Sequence, residues 1–191
     1  MHQGYDLIGD VHGCGETLIV LLEQMGYQKI NGVYQHKSRK AVLLGDIIDR
    51  GPHMRLACEV VRGMVDAGHA HMIMGNHEYN LVTYMTPAPD GVDQPYLREH
   101  TERNSFIVKQ TVEQFADHPE EFKDYLEWFT ELPLFMEFDH FRVVHACWDH
   151  AVINEFIGRY GGNQLHAGLL SESVSQDSFL YQSLDRLLRG T

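Results

Sequence analysis

Apolar positions along the chain switch between two spacings. "YDLIGD", Tyr5 to Asp10, is a short apolar run closed by Gly9-Asp10 and reads as a buried strand. From Cys14 to Met25, Leu18, Leu21, Leu22 and Met25 recur three and four apart, which predicts a helix closed by Gly26. "GVYQH" is a short hairpin strand, "AVLLGD" a second buried strand, Leu56 to Ala67 a second amphipathic helix closed by Gly68, and "AHMIMGN" a third strand. Strands near residues 5, 41 and 70 thus alternate with helices at about the ~30-residue length of a strand-helix-strand unit, the pattern of an α/β layered sheet.

The pattern changes between Thr83 and Pro133. "TPAPDGVDQP" reads as a loop, followed by a helix from about Ser105 to Asp117 and another beginning at Pro119, where proline suits a first helical turn. Residues 83–133 are therefore expected to form a helical insertion. "LFMEF" and "FRVVHA" predict two strands around a tight Asp139-His140 turn, and the tail through "FLYQSLDRLLRG" is mostly helical. Tyr125, Trp128 and Phe129 either line a substrate groove or pack in the core, and their spacing favours the core.

With 191 residues, 43% hydrophobic and 22% charged, the chain fits one globular domain, residues 1–191, rather than a disordered one. No stretch approaches the ~18 consecutive apolar residues that span a bilayer, and no basic region followed by an apolar stretch opens the chain. The expected compartment is cytoplasmic. The three cysteines form no metal-type pair or disulfide framework and are expected to be reduced. Fifteen Lys and Arg stand against 27 Asp and Glu, a formal charge of −12, which argues against nucleic-acid and membrane partners. An anionic substrate needs local positive charge.

Three strands end in polar clusters: "GDVHG" at 9–13, "GDIIDRG" at 45–51 and "GNHE" at 75–78; a fourth, "VVHA", delivers His145. Strand ends of an open α/β sheet converge on one crevice, so the clusters should face one another. Their chemistry is that of a two-metal site. Asp10 and His12 would hold one cation, Asp46 would bridge to a second, and Asn76 with His145 would complete much of the second shell of ligands. Mixed carboxylate, imidazole and amide donors suit Mn, Fe or Zn better than Mg or Ca. Turn chemistry explains each aspartate or glycine singly, but not why every strand of the series ends in potential ligands.

These motifs together resemble the signature of the calcineurin-like metallophosphoesterases, in particular the branch of serine/threonine phosphoprotein phosphatases and symmetrical dinucleoside tetraphosphatases. The resemblance runs from about Tyr5 to Trp148. It implies a four-layer αββα sandwich with mixed sheets and two divalent or transition metal ions, Mn first. One ion would lie on Asp10, His12 and Asp46, the other on Asp46, Asn76 and His145. It further implies His77 as general acid, Asp49 as the carboxylate orienting it, and Arg50 with Asn76 as phosphate contacts. Glu78 is expected to be structural support.

The implied reaction is hydrolysis of phosphate esters or anhydrides by a metal-bridging hydroxide. A phosphoprotein-phosphatase-like enzyme is the first expectation and a symmetrical diadenosine tetraphosphate hydrolase the second, so the partner is a phosphoprotein or a dinucleoside polyphosphate. A catalytically weak metal-binding or regulatory module is the reading from another class. The family's further histidine from a late strand has no counterpart here: His150 and His166 end no convincing strand. The sequence therefore reads as C-terminally truncated, lacking strands of the second sheet and leaving an edge open to self-association.

Overall fold

The structure, a computed structural model, describes residues 4–89 and 93–191. The loop expected over "TPAPDGVDQP" is held at its ends by Ala88 N–H donating to the Pro95 carbonyl (3.0 Å), whereas its centre, 90–92, lies outside the described residues.

Strands β1 (Gly4–Ile8), β4 (Arg39–Leu43) and β5 (Ala70–Met72) form a parallel sheet in the order β1-β4-β5, with Ile8 opposite Leu43 and Leu43 opposite Met72. Helices α1 (Gly15–Gln24) and α2 (Met54–Asp66) are the crossovers, and β2 (Gln28–Ile30) pairs with β3 (Val33–Gln35) as an antiparallel hairpin. The alternation along β4 decides what each face meets. Ala41 and Leu43 join the large core with Leu18, Leu22, Ala57 and Val61, while Val42 points the other way, into a second core with Ile73 and Val143.

That second core is the space between two sheets. Strands β6 (Phe135–Glu137) and β7 (Arg142–Val144) form an antiparallel hairpin closed by Phe138 N–H on the Phe141 carbonyl (2.9 Å), with the expected two-residue turn. Met136 and Val143, cross-strand partners, face the parallel sheet; Phe135 points outward against Phe156 of α6 (His150–Tyr160), ring centroids 6.2 Å apart. Helices, sheet, hairpin and helix thus succeed one another as four layers. The hairpin leaves part of the β1 face uncovered, where Leu7 is 53% exposed.

The segment 83–133, read from the sequence as a helical insertion, packs into the main core. Helices α4 (Glu102–Phe115, capped by Thr101 on Asn104 N–H at 3.1 Å) and α5 (Pro119–Thr130) share the main core through Val108, Phe115, Phe122 and Phe129. Tyr125, Trp128 and Phe129 are buried, which favours packing over a substrate groove. Helix α3 (Asn76–Met85) departs from the sequence reading, which runs the third strand through Asn76 and predicts no helix after "GNHE". Its asparagines, tyrosines and threonine are weak helix formers, and His77 to Thr83 are all buried, so no amphipathic stripe marks it. The tail adds α7 (Leu170–Ser173) and α8 (Phe179–Arg189), the latter packed on α6. Among the described residues no helix is long and apolar enough to cross a membrane.

Candidate active site

The loops after β1, β4 and β5 converge through their own backbones. Asp46's carbonyl accepts N–H bonds from Val11 (3.1 Å) and His12 (2.9 Å), and Ile47's accepts from Gly13 (2.7 Å). This docking demands unusual conformations. Among the described residues, the non-glycine residues at positive φ are His12 (46°), Asp46 (52°), Asp49 (67°) and Arg50 (69°), together with Asn31 (51°) on the β2-β3 turn. Four of the five lie in the site loops, where the surrounding contacts hold an otherwise costly backbone. Gly75 belongs to the same arrangement, because a Cβ there would collide with the Asp46 carboxylate.

Three imidazoles are aimed by their second nitrogen. Nδ1 of His12 lies 2.9 Å from the Ile48 carbonyl, Nδ1 of His145 2.6 Å from the Leu44 carbonyl, and Nδ1 of His77 2.6 Å from Asp49 Oδ2. Each pairing makes Nδ1 the donor and turns Nε2 inward, the arrangement that orients histidine ligands. His145 Nε2 lies 3.4 Å from Asp46 Oδ2 and 3.0 Å from Asn76 Oδ1; His12 Nε2 lies 3.6 Å from Asp10 Oδ2 and 4.0 Å from Asp46 Oδ2.

Ligand atoms of Asp10, Asp46 and His145 fall within 4.8 Å of one another, and so do those of His12, Asp46 and His77. The donor chemistry therefore fits divalent cations: two clusters of mixed oxygen and nitrogen atoms, joined by one carboxylate. His12 Nε2 is also within 3.6 Å of Asp10 Oδ2, the residue with which the sequence reading places it. The left-handed backbone at His12 sets its ring edge-on against His77, centroids 4.7 Å apart. Asp46 lies in both clusters.

The electrostatics follow from one buried carboxylate among imidazoles. Burial raises the Asp46 pKa, but hydrogen bonding and charge from His145 and His77 prevail and hold it below the usual carboxylate value. Burial opposes charge on His145, yet the Asp46 partnership lifts it to about 9. For His77, burial is likewise outweighed by the Asp49 hydrogen bond and nearby carboxylates, and its pKa is raised. The pairing favours the charged forms of Asp46 and of both imidazoles, and cation binding would displace the imidazole protons.

The sequence signature of calcineurin-like phosphoesterases matches residues 5–180. This chain belongs to the calcineurin-like phosphoesterase family. Curated relatives include the asymmetrical bis(5'-nucleosyl)-tetraphosphatase PrpE of Halalkalibacterium halodurans, 33% identical over 159 residues that cover 82% of this chain and 61% of the relative. The protein of the same name from Oceanobacillus iheyensis is 49% identical over 73 residues, 38% of this chain and 29% of the relative. The chain thus spans less than two thirds of the length of these relatives. A solved structure of the cold-active protein-tyrosine phosphatase of a psychrophilic Shewanella species superposes with a TM-score of 0.53 at 20% identity, covering 99% of this chain and 56% of that one, which extends the likeness to the fold.

Around the calcineurin-like signature, sequence reasoning missed three supports. Helix α4 carries Thr111, fully buried, whose Oγ1 donates to Asp49 Oδ1 (2.5 Å) and accepts the Asp49 N–H (3.1 Å). One turn along, Gln114 accepts Met54 N–H (2.8 Å) and donates to the Gly51 carbonyl (3.0 Å), fastening the "GDIIDRG" loop to α4. The third support is the backbone N–H of His77, which donates to Asp46 Oδ1 (2.9 Å) from the first turn of α3. The only advance signal for Thr111 and Gln114 was a polar residue on the inner face of a helix. Glu78 fulfils its expected structural part: fully buried, it accepts N–H bonds from Asp46 (2.8 Å), Ile47 (2.8 Å) and Gly75 (2.9 Å). Burial and Asp46 raise its pKa to about 7.

Arg50 is exposed, with Nη2 3.4 Å from His77 Nε2. Cys14 and Cys147 are free thiols flanking the site, and Cys14 Sγ donates to the His12 carbonyl at 3.6 Å. His150 and His166 are exposed and belong to neither ligand cluster.

Proposed function

We propose that the chain is the motif-bearing part of a metal-dependent hydrolase of dinucleoside polyphosphates. The observation that carries the reading is the single carboxylate, Asp46, shared between two donor clusters beside a histidine held by its own carboxylate, Asp49. Asp10, His12, Asp46, Asn76 and His145 would hold two divalent cations, Mn first. When bound, such ions neutralise phosphate charge and make water a nucleophile near neutral pH.

The remaining steps belong to side chains. His77 faces the site with Nε2 while Asp49 accepts from Nδ1, which suits it to protonate a departing oxygen. Thr111 and the backbone bonds fix Asp49 in turn, so it is a positioning residue. Arg50 and Asn76 would bind the phosphoryl oxygens, and the N-terminus of α3 adds its dipole to the same anion.

The names of the relatives support dinucleoside tetraphosphates cut asymmetrically, in place of both the phosphoprotein and the symmetrical cut first expected from the signature. The test is turnover with Mn of diadenosine tetraphosphate against a phosphopeptide panel and p-nitrophenyl phosphate, with products separated. Release of AMP and ATP is expected. Two ADP would restore the symmetrical reading, preference for phosphopeptides the phosphatase reading, and metal binding without turnover a regulatory module.

A further inference from the structure

A cavity of about 630 Å³ opens beside the site, with Asn76 and His77 in its wall. Helix α3 supplies one side: Asn76, Asn80 and Thr83 recur at four and three residues, a polar stripe running ~10 Å away from the ligand clusters. Three arginines line the same cavity: Arg98 just before α4, Arg103 in its first turn, and Arg189 on α8. Arg189, on α8, is tied to Asp185 (2.8 Å) and to Asn80 Oδ1 (2.9 Å). Arg98 has no carboxylate within ion-pair distance among the described residues; its side chain donates only to Asn104 Oδ1 (3.1 Å). Burial lowers its pKa, and the facing Arg189 lowers it further. Arg103 is exposed, also without an ion pair among the described residues. Glu99 and Asp185 also line the cavity, but Asp185 is taken up by Arg189; in a chain of formal charge −12, the two remaining guanidinium groups, Arg98 and Arg103, held together without an ion pair among the described residues, mark a place for an anion outside the chain.

We infer that this arginine cavity is the leaving-group subsite, and that it holds a nucleoside triphosphate as the departing product. The inference rests on the proposed function. A general acid stands on the side of the bond that breaks, and the cavity lies on the His77 side of the site. A leaving group with several phosphates matches several arginines, whereas a nucleoside monophosphate would leave most of them unused. The attacked phosphorus is therefore that of the terminal nucleotide. Water oxygen bonds to this phosphorus and its surplus proton goes to solvent; the bond to the bridging oxygen breaks, and that oxygen leaves with the electron pair and takes a proton from His77. The nucleoside monophosphate carries the new oxygen and the triphosphate departs through the cavity.

Two measurements test this. Single turnover of diadenosine tetraphosphate in ¹⁸O-water should place the label in AMP; label in ATP overturns the inference. Binding of ATP to the metal-free protein, followed by calorimetry, should weaken at least about tenfold in Arg98→Ala and in the exposed-site variant Arg103→Ala, with Arg98→Lys between them and the native chain. Equal affinity in all of them overturns it as well. Arginine-dependent ATP binding in a protein that fails to turn over the tetraphosphate would support the cavity and count against the substrate reading, so the two fail separately.

Discussion

The ligand clusters and the arginine cavity share a wall at Asn76 and His77 but are built in opposite ways. The clusters come from short motifs at strand ends, on a backbone forced into left-handed conformations and clamped by bonds between loops. The cavity comes from residues on α3, on α4, on α8 and in the segment between α3 and α4, in ordinary conformations, with no motif among them. Placing cations within a few ångströms of each other demands a fixed geometry, which only tightly joined loops provide. Holding a flexible phosphate chain demands charge more than geometry, and scattered long side chains supply it.

The largest effect expected on this contrast is at Asp46. Asp46→Asn removes the carboxylate shared by both clusters, so bound Mn should fall by at least one ion per chain with loss of turnover, while metal-free ATP binding persists. Undiminished metal content, measured by mass spectrometry of the metal, would break the assignment of a shared ligand.

His77→Asn should leave metal bound and lower turnover by roughly 10² to 10⁴-fold. The loss should be smaller for p-nitrophenyl phosphate, whose leaving group needs little protonation, than for an alkyl phosphate. Equal losses on the two substrates would argue that His77 acts as a ligand, as its place beside His12 and Asp46 would allow, and not as an acid.

Glu78 tests the clamp between the loops. Glu78→Ala leaves three buried N–H donors, of Asp46, Ile47 and Gly75, without acceptors, at roughly 1–3 kcal/mol each. A destabilisation of at least ~3 kcal/mol in urea unfolding is expected; a loss below ~1 kcal/mol would show that the loops dock without it.

The smallest change is expected behind Asp49. Thr111→Val keeps the volume but deletes the hydroxyl that bonds the carboxylate, costing roughly 1.5–3 kcal/mol because the partner is charged. Turnover should fall, and by less than in His77→Asn, because Asp49 keeps its bond to the imidazole. A fall as large as that of His77→Asn would make the brace on α4 as important as the acid itself.

Most of the strand-helix alternation was legible, because period and punctuation are local properties. Gly26 and Gly68 follow α1 and α2 as expected, and Asp139-His140 turns the β6-β7 hairpin. Helix α3 was not legible, since its polar stripe faces a cavity rather than solvent, the helix is buried on nearly all sides, and it has few strong formers to announce it. Asp10, His12, Asp46, Asn76 and His145 could be named from their strand-end positions, but how their side chains group in space depends on backbone angles that "GDVHG" does not reveal.

By itself, the sequence determined which residue types stand at the strand ends and the family to which they belong, because motif chemistry is written in neighbouring letters. Tertiary structure alone decided that His12 turns toward His77, that Thr111 and Gln114 reach across some sixty residues to hold the loop of Asp49, and that Arg98 and Arg189 face one cavity. Each of these joins groups far apart in the chain. Their meeting is fixed by how helices pack on the sheet, and no local pattern encodes that packing.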